Sequence, residues 1–239
     1  MQRLILDSLQ QARAAKRPLA LITNLDNGAQ CLYEPGLATQ TFPVARVIPE
    51  MVIQRVSAAL RDDRSQCVET SQGRYFIQIF NPPLRLLIIG AVHISQYLAP
   101  MAQLAGYQVS IIDPRRSFST AERFPDLELL TDWPDEALQA LAPDTRTAIV
   151  TLTHDPKLDD PALQVALASE AFYIGCLGSR RTHAARLERL TGAGIEATAQ
   201  QRLHAPVGLD IGARSAAEIA LACLAEITAS LRQSQACGA

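Results

Sequence analysis

Near the middle of the chain, two apolar runs flank one amphipathic segment. The run Leu84–Ile89 is almost continuously apolar and stops at Gly90. The segment up to Ala105 has apolar residues at helical spacing, and a second run, Val109–Ile112, stops at Asp113. Apolar runs without a period are typical of strands buried on both faces, and the middle segment predicts a helix that covers them. This order of elements predicts a right-handed βαβ unit.

Strands and helices continue to alternate after this unit. Further apolar runs predict strands at 127–130, 147–151 and 172–175. Segments with helical spacing follow recognisable start signals, which are Pro134, Asp160-Pro161, Ser179 and the capping box that opens at Ser215. Such alternation predicts an α/β fold with a Rossmann-like doubly wound parallel sheet.

The first 80 residues predict a smaller α/β domain. Residues 2–16 and 51–60 have helical patterns, and hairpin signals lie at Asp26-Asn27-Gly28 and Ser71-Gln72-Gly73. Asn81-Pro82-Pro83 stiffens the chain directly afterwards. The sequence therefore predicts a small N-terminal domain over residues 1–80 and a Rossmann-like C-terminal domain over residues 84–239.

Composition narrows the classes of partner. The chain has 239 residues and a net charge of −2, so it lacks the basic surface that binds nucleic acid or an anionic membrane. No apolar run is long enough to span a bilayer, and the first residues lack the apolar core of a signal peptide. The 5 cysteines are scattered and odd in number, which favours reduced thiols and a cytoplasmic location.

The glycine turn after the first buried strand matches a dinucleotide-binding fingerprint only in part. Gly90 permits the tight turn and Ser95 permits close packing of helix and strand, but Val92 stands where the backbone would approach a pyrophosphate. Asp113 lies about 20 residues further on, where a carboxylate would contact a ribose hydroxyl. Two interpretations stay open: an NAD(P) site, and a Rossmann-like sheet that binds no dinucleotide.

Polar residues follow nearly every predicted strand of the larger domain. Ligands of such sheets bind beyond the carboxyl ends of the strands, so these residues are expected to converge. The predicted ligand-binding residues are Gly90, Ala91, Val92, His93, Asp113, Arg115, Thr153, His154, Asp155, Gly175, Gly178, Ser179, Arg180, Arg181, Gly208, Asp210 and Gly212.

The segment Gly178–Arg181 is the best predicted anion site. Glycine frees the backbone, the helix start presents unpaired N–H groups, and two arginines add positive charge and forked donors. The competing interpretation is a capped helix with solvated arginines. Arg115 and Arg116 could contact a second phosphate, such as the 2′-phosphate of NADP, or pair with Glu122 or Asp126.

The histidines and Cys176 each have two interpretations. His154 beside Asp155 could form an acid–base pair or a metal ligand, but the absence of metal-ligand spacing favours a loop histidine that bonds ligand or backbone. His93 could contact a phosphate or pterin, or make a structural bond. Cys176 near a helix start could be an activated thiolate, although a small buried residue is the commoner case. The spacing supports no catalytic residues and no metal site.

Residues 79–231 resemble the C-terminal domain of the XdhC/CoxI family, the accessory proteins of xanthine dehydrogenase and related molybdenum hydroxylases. The resemblance is carried by the motifs Ile88-Ile89-Gly90-Ala91-Val92-His93-Ile94, Asp113-Pro114-Arg115, Thr153-His154-Asp155, Tyr173-Ile174-Gly175-Cys176-Leu177-Gly178-Ser179-Arg180 and Pro206-Val207-Gly208-Leu209-Asp210-Ile211-Gly212-Ala213.

This resemblance implies a chaperone without turnover of its own. It would bind the molybdenum cofactor, as molybdopterin or its cytosine dinucleotide form, and protect it. It would also support sulfuration by a cysteine desulfurase and deliver the product to an apo-hydroxylase of the xanthine dehydrogenase type, and it would be compatible with a homodimer. Two alternatives are an NAD(P)-dependent oxidoreductase that uses Asp113 and Arg115, and a regulatory module that senses a nucleotide.

The chain departs from the family pattern in two places. Many members have glycine at the position of Val92. Many also carry a Gly-Gly-Cys motif in the N-terminal domain, and residues 1–80 contain none. Cys67 lacks the flanking glycines, so the family's sulfur-handling role is not transferred to it.

Overall fold

A computed structural model describes residues 3–36, 40–42 and 48–236. The chain divides into two compact units, Met1–Pro82 and Pro83–Ala239. Each unit has its own sheet and its own core, and each is described by itself. Cys237, which the sequence groups with the reduced thiols, lies outside the described residues.

The first unit is built on an antiparallel sheet of five strands. Its elements are α1 (Arg3–Ala14), β1 (Leu19–Asn24), β2 (Gln30–Tyr33), β3 (Gln40–Phe42), α2 (Glu50–Asp62), β4 (Gln66–Thr70) and β5 (Gly73–Phe80). The strands lie in the order β3-β2-β1-β5-β4. Both predicted hairpins are confirmed: β1 pairs with β2 and β4 pairs with β5.

The second unit is built on a parallel sheet of six strands. Its elements are β6 (Arg85–Ile89), α3 (His93–Leu104), β7 (Gln108–Ile112), β8 (Glu128–Leu130), α4 (Pro134–Leu141), β9 (Thr147–Thr151), α5 (Pro156–Ala168), β10 (Tyr173–Cys176), α6 (Arg180–Gly192), α7 (Ala197–Gln200), β11 (Leu203–His204) and α8 (Ala216–Ala236). The strand order β11-β10-β9-β6-β7-β8 is the Rossmann order read from its far end. The predicted fold class is confirmed.

The larger sheet is buried on both faces, which explains its period-free strands. Along β6, Leu86 and Ile88 belong to a cluster that includes residues of α3 and α8. Leu87 and Ile89 belong to a second cluster, which includes residues of α4, α5 and α6. Successive side chains of a strand point to opposite faces, so a strand with helices on both sides must be apolar at every position.

The structure corrects one predicted helix start and adds two short elements. Helix α5 begins at Pro156, and the Asp155 side chain caps it by accepting the Lys157 N–H. Asp160-Pro161, which the sequence predicts as the start, lies inside the helix. Both pairs carry the same signal of a capping acid followed by proline, and the earlier pair forms the cap. The short elements α7 and β11 carry no pattern that distinguishes them from loops.

Because β6 lies in the middle of the larger sheet, a substitution that leaves a cavity there should lower the free energy of unfolding considerably. We expect Ile88→Ala to lower the free energy of unfolding of the second unit by about 2–5 kcal/mol, because Ile88 is fully buried between two layers. Leu221→Ala is the control, since more than half of Leu221 is exposed, and it should change stability by less than about 0.5 kcal/mol. Urea denaturation followed by circular dichroism measures both, and equal effects would contradict the assigned core.

Candidate functional site

The predicted ligand-binding residues lie along one edge of the larger sheet. All strands of this sheet are parallel, so the loops after their carboxyl ends share that edge. We call the rim the set of loops 90–92, 113–116, 152–155, 177–179 and 205–215. Strand β6 lies between β7 and β9, so the order of the strands reverses there. Such a reversal opens a crevice between the loops on either side.

The glycine turn at Gly90 is shaped by close contact with the loop after β9. Gly90 has φ +113°, and a Cβ atom there would lie 2.6 Å from Cγ2 of Thr153. The buried Ser95 hydroxyl donates to the Gly90 carbonyl over 2.6 Å, which joins the helix to the turn by a bond that the sequence does not predict. Val92 has an ordinary φ of −95° and packs against the apolar core. The turn brings Gly90 and Thr153 together without requiring a second glycine.

Asp113 is fully buried and bound by its own chain. Its carboxylate accepts the Ala91 N–H over 2.8 Å, the Arg115 N–H over 3.0 Å, and the Arg115 Nε and Nη2 over 2.8 and 2.7 Å. Burial alone would raise the pKa of this carboxyl, but the hydrogen bonds from Arg115 and Ala91 outweigh burial and hold the pKa below its ordinary value. These four bonds match the four lone-pair positions of a carboxylate. A ribose hydroxyl could bond to Asp113 only by displacing Arg115.

The loop after β9 contains a linked set of polar side chains. The Thr153 hydroxyl donates to Oδ1 of Asp159 over 2.6 Å and accepts the Asp155 N–H over 3.0 Å. Asp159 is almost fully buried, and burial raises the pKa of its carboxyl. Asp155 is engaged as the cap of α5. The structure thus places Thr153 and Asp159 together, and it gives Asp155 a structural bond.

The two predicted histidines of the rim are exposed. His154 has a left-handed φ of 60°, which a non-glycine residue rarely adopts. Nδ1 of His93 lies 3.2 Å from Oε1 of Gln96, and the ring meets the Tyr97 ring edge-on. Among residues 3–36, 40–42 and 48–236, the structure contains no group of three or more His, Cys, Asp or Glu side chains suited to hold a metal ion.

Helix α6 starts at the rim as the sequence predicts. Ser179 is its N-cap and accepts the Thr182 N–H over 3.2 Å. Gly178 has φ +143°, a conformation that a side chain would strain, while Arg180 and Arg181 are exposed. This helix start combines free N–H groups with exposed positive charge, which is the chemistry of an anion site.

Gly175 and Cys176 belong to strand β10 and not to a loop. A Cβ atom at Gly175 would lie 2.6 Å from Cγ2 of Val207, so this glycine allows the loop after β11 to pack closely. Cys176 is fully buried, and burial raises the pKa of its thiol to about 11. The interpretation as a small buried residue therefore describes Cys176 better than that of an activated thiolate.

The last loop of the rim is fixed by Glu226 of α8. Glu226 accepts the Gly208 N–H over 2.7 Å and the Tyr173 hydroxyl over 2.5 Å, and its other oxygen lies 3.2 Å from Nδ1 of His204. Asp210 and Gly212, further along the same loop, are exposed. The structure places these two residues at the rim, and only the Gly208 end of the loop is tied down by Glu226.

Three polar residues of this region are not among the predicted ones. Asp159, Arg186 and Glu226 all lie on helices, where a charged residue ordinarily faces solvent. Only the fold shows that Asp159 and Arg186 are buried. Glu226 carries a weak signal, since it lies on a helix otherwise rich in apolar residues.

These observations define a Rossmann-like domain in which the acid at the usual ribose-binding position is engaged by a neighbouring arginine. The chain belongs to the XdhC family: the family model described as XdhC Rossmann domain matches residues 86–227. The family that the sequence motifs indicate is therefore confirmed.

Several relatives share this domain. The chain is 36% identical over 156 residues to the molybdenum cofactor insertion chaperone PaoD of Escherichia coli, a match that covers 65% of this chain and 42% of PaoD. It is 33% identical over 153 residues to a probable xanthine dehydrogenase subunit of Bacillus subtilis, covering 64% of this chain and 44% of the relative. The match thus spans less than half of each relative.

A solved structure has the same fold over nearly the whole chain. The crystal structure of a xanthine dehydrogenase from Bacillus halodurans superimposes with a TM-score of 0.73, 22% identity, and coverage of 99% of this chain and 69% of that one. At this identity the likeness shows the fold alone. No helix in the described part of the chain is long and apolar enough to cross a membrane.

The buried Asp113–Arg115 pair predicts a pH-dependent stability. We expect Arg115→Met to lower the free energy of unfolding by about 3 kcal/mol at pH 7, because it leaves the buried carboxylate without its cation. In the unaltered protein the lowered pKa of Asp113 stabilises the fold above the pKa of the unfolded state, and this stabilisation is lost as the pH falls through the folded-state value.

In the variant, burial raises the pKa of Asp113 above its ordinary value instead, so the deficit should begin to shrink already above about pH 4, as the carboxyl takes up a proton, and should go on shrinking as the pH falls further. Arg116→Met is the matched control, since Arg116 is the adjacent exposed arginine. Urea denaturation from pH 3 to pH 8 measures all three proteins. A deficit that does not vary with pH would show that Arg115 acts through packing.

Proposed function

We propose that this chain is a chaperone that binds the molybdenum cofactor on the rim and passes it to an apo-hydroxylase of the xanthine dehydrogenase type. The observation that carries the proposal is the α6 start, where Gly178, the Ser179 cap and two exposed arginines lie together at the carboxyl edge of the sheet and offer the donors that an anion would need. Membership of the XdhC family and the similarity to the insertion chaperone PaoD support the identity of the ligand.

The donors at the α6 start suit the phosphate end of the cofactor. A molybdopterin carries a terminal phosphate or nucleotide, and helix N–H groups with arginine side chains bind phosphate oxygens well. Because Arg180 and Arg181 are exposed, they can hold the anion and also let it exchange with solvent. A carrier needs such reversible binding, and the proposal includes no chemical step catalysed by this chain.

Sulfuration is proposed to depend on a separate cysteine desulfurase. Of the described cysteines, Cys31, Cys176 and Cys223 are buried, and burial raises the pKa of each thiol, to about 12, about 11 and about 12 respectively. Such thiols are poor nucleophiles at neutral pH. Cys67 is exposed but lacks the glycines of the family motif. We propose that this chain shelters the cofactor in the cytoplasm while the desulfurase supplies sulfur.

A second candidate function is an NAD(P)-dependent oxidoreductase, which the strand order and the Gly90 turn favour. Its usual ribose contact would fall to Asp113, whose lone pairs the chain itself occupies. The dinucleotide is therefore a poor match for the β6–β7 side of the rim.

Equilibrium titration under anaerobic conditions tests the proposed function. The purified chain is titrated with molybdopterin-form cofactor, with the cytosine dinucleotide form and, in parallel, with NADPH. We expect micromolar binding of at least one cofactor form and no detectable binding of NADPH. Binding of NADPH without binding of either cofactor form would overturn the proposal and favour the oxidoreductase.

The exposed arginines should contribute measurably to that affinity. We expect Arg180→Ala with Arg181→Ala to weaken cofactor binding about fivefold or more, because two charged donors are lost from the phosphate site. The matched control replaces both arginines with lysine, which keeps the charge, loses the fork and should weaken binding less. Unchanged affinity of the alanine variant would move the anion site away from the α6 start.

A further inference from the structure

Arg186 of helix α6 is a buried cation whose hydrogen bonds are incomplete. Its side chain is 1% exposed. Nη2 donates to the Leu177 carbonyl over 2.8 Å, whereas the buried Nε and Nη1 atoms have no hydrogen-bond partner. Within the described part of the chain, no carboxylate oxygen forms an ion pair with this guanidinium within 4.0 Å. Burying a charge without hydrogen-bond partners or a counter-charge is costly unless another group supplies them.

Another arginine of the second unit, Arg202, differs from Arg186 because it makes several hydrogen bonds. Arg202 donates to the carbonyls of Leu167, Ser169 and Ala171 over 2.8–3.0 Å. These bonds tie the segment before β11 to the end of α5 and explain Arg202 as a structural residue. Arg186 has one carbonyl bond, so a purely structural role leaves most of its donors unexplained.

The unpartnered donors of Arg186 have the geometry of an oxyanion site. A guanidinium has five N–H groups, and Nη2 shares one edge with Nε and the other with Nη1. The Leu177 carbonyl takes one hydrogen of Nη2, which leaves one complete two-donor edge. Such an edge matches two oxygens of a phosphate or carboxylate.

The guanidinium lies at the start of α6. Its Nη2 atom is bonded to Leu177, and it lies 3.8 Å from the position that a Cβ atom would take at Gly178. The side chain therefore runs back along the helix towards its N-terminal turn, where the Ser179 and Thr182 hydroxyls lie 3.0 Å apart. The free N–H groups of a helix start and a buried arginine thus meet at one loop.

Among the described residues, the titratable groups near Arg186 leave its guanidinium without a hydrogen-bonded counter-ion. The side chains that interact electrostatically with Arg186 are Asp159, Cys176 and His183. Burial raises the pKa of the Asp159 carboxyl and raises that of the Cys176 thiol to about 11, and neither group makes a hydrogen bond to the Arg186 guanidinium. The adjacent Asp160 is engaged by Arg189.

We propose that Arg186 is the buried anchor of a phosphate-binding site, in which a phosphate monoester is held between the guanidinium edge and the Gly178–Thr182 turn. Phosphate is favoured over carboxylate because its additional oxygens can accept from the turn and the hydroxyls while two face the arginine. The inference deepens the proposed function and rests on it only for the natural source of the phosphate, which is the terminal phosphate of molybdopterin.

Inorganic phosphate is the probe that tests this site in the full chain. Isothermal titration calorimetry and thermal unfolding are measured for the unaltered protein, for Arg186→Met and for the control Arg202→Met. We expect phosphate to bind the unaltered protein and Arg202→Met, and to bind Arg186→Met at least tenfold more weakly. Without phosphate, Arg186→Met should unfold at no lower a temperature than the unaltered protein, whereas Arg202→Met should unfold at a lower one. Arg202 makes three hydrogen bonds to carbonyls, whereas Arg186 makes one and has two buried nitrogens without a partner in the described part of the chain.

Equal phosphate affinity of Arg186→Met and the unaltered protein, or no phosphate binding by the unaltered protein, would overturn the inference. Should the methionine variant fail to fold, Arg186→Lys replaces it, since lysine keeps the charge and loses the fork, and unchanged affinity again overturns the inference.

Titration of the same variants with molybdenum cofactor separates the two proposals. Molybdenum cofactor that binds Arg186→Met as tightly as the unaltered protein would show that the cofactor's phosphate does not bind at Arg186, and it would leave the chaperone proposal standing. If phosphate binding depends on Arg186 but the protein binds no molybdenum cofactor, the proposed chaperone function is overturned and the proposed phosphate site stands.

Discussion

One of the four hydrogen bonds to the Asp113 carboxylate, from the Ala91 N–H, joins the loop that leaves β6 to the loop that leaves β7. Arg115 supplies the other three from the same loop as Asp113, so separating the two loops would take the Ala91 donor from a buried carboxylate. The Gly90 turn packs on Thr153 at the same place, which extends the constraint to the loop after β9. The geometry of the rim depends on this junction.

The junction also decides where on the rim a ligand can bind. On the β7 side, Asp113 and Arg115 are bonded to each other, and the Arg115 guanidinium stacks 4.5 Å above the Phe118 ring. Towards β10 the situation is reversed, because Arg186 has unpartnered donors and Arg180 and Arg181 are exposed. In a domain with the Rossmann strand order, the unpartnered and exposed arginines thus lie one step away from the usual dinucleotide position. The proposal of a phosphorylated pterin in place of NAD(P) rests on that arrangement.

The fold was largely predictable because burial on both faces imposes continuous apolar runs, as in β6 and β9. Local signals were less decisive where the same helix-start signal occurs twice. Asp155-Pro156 and Asp160-Pro161 are both an acid followed by proline, and only the first pair begins α5. The Ser179 cap was predictable from local spacing. The burial of Arg186 was not predictable, because a sequence does not show whether an arginine side chain on a helix lies against solvent or against the core. Nor could the sequence show that the Arg115 side chain donates hydrogen bonds to the Asp113 carboxylate.

Hydrogen exchange measured with and without bound molybdenum cofactor tests the account most directly. Bound ligand slows exchange at the amides that it contacts or closes over, so protection locates the site without presupposing any residue. The account predicts slowed exchange in residues 177–183, with smaller effects in loops 90–92 and 152–155. Protection confined to residues 3–36 and 48–82, or to the loops before the strands of the larger sheet, would contradict it.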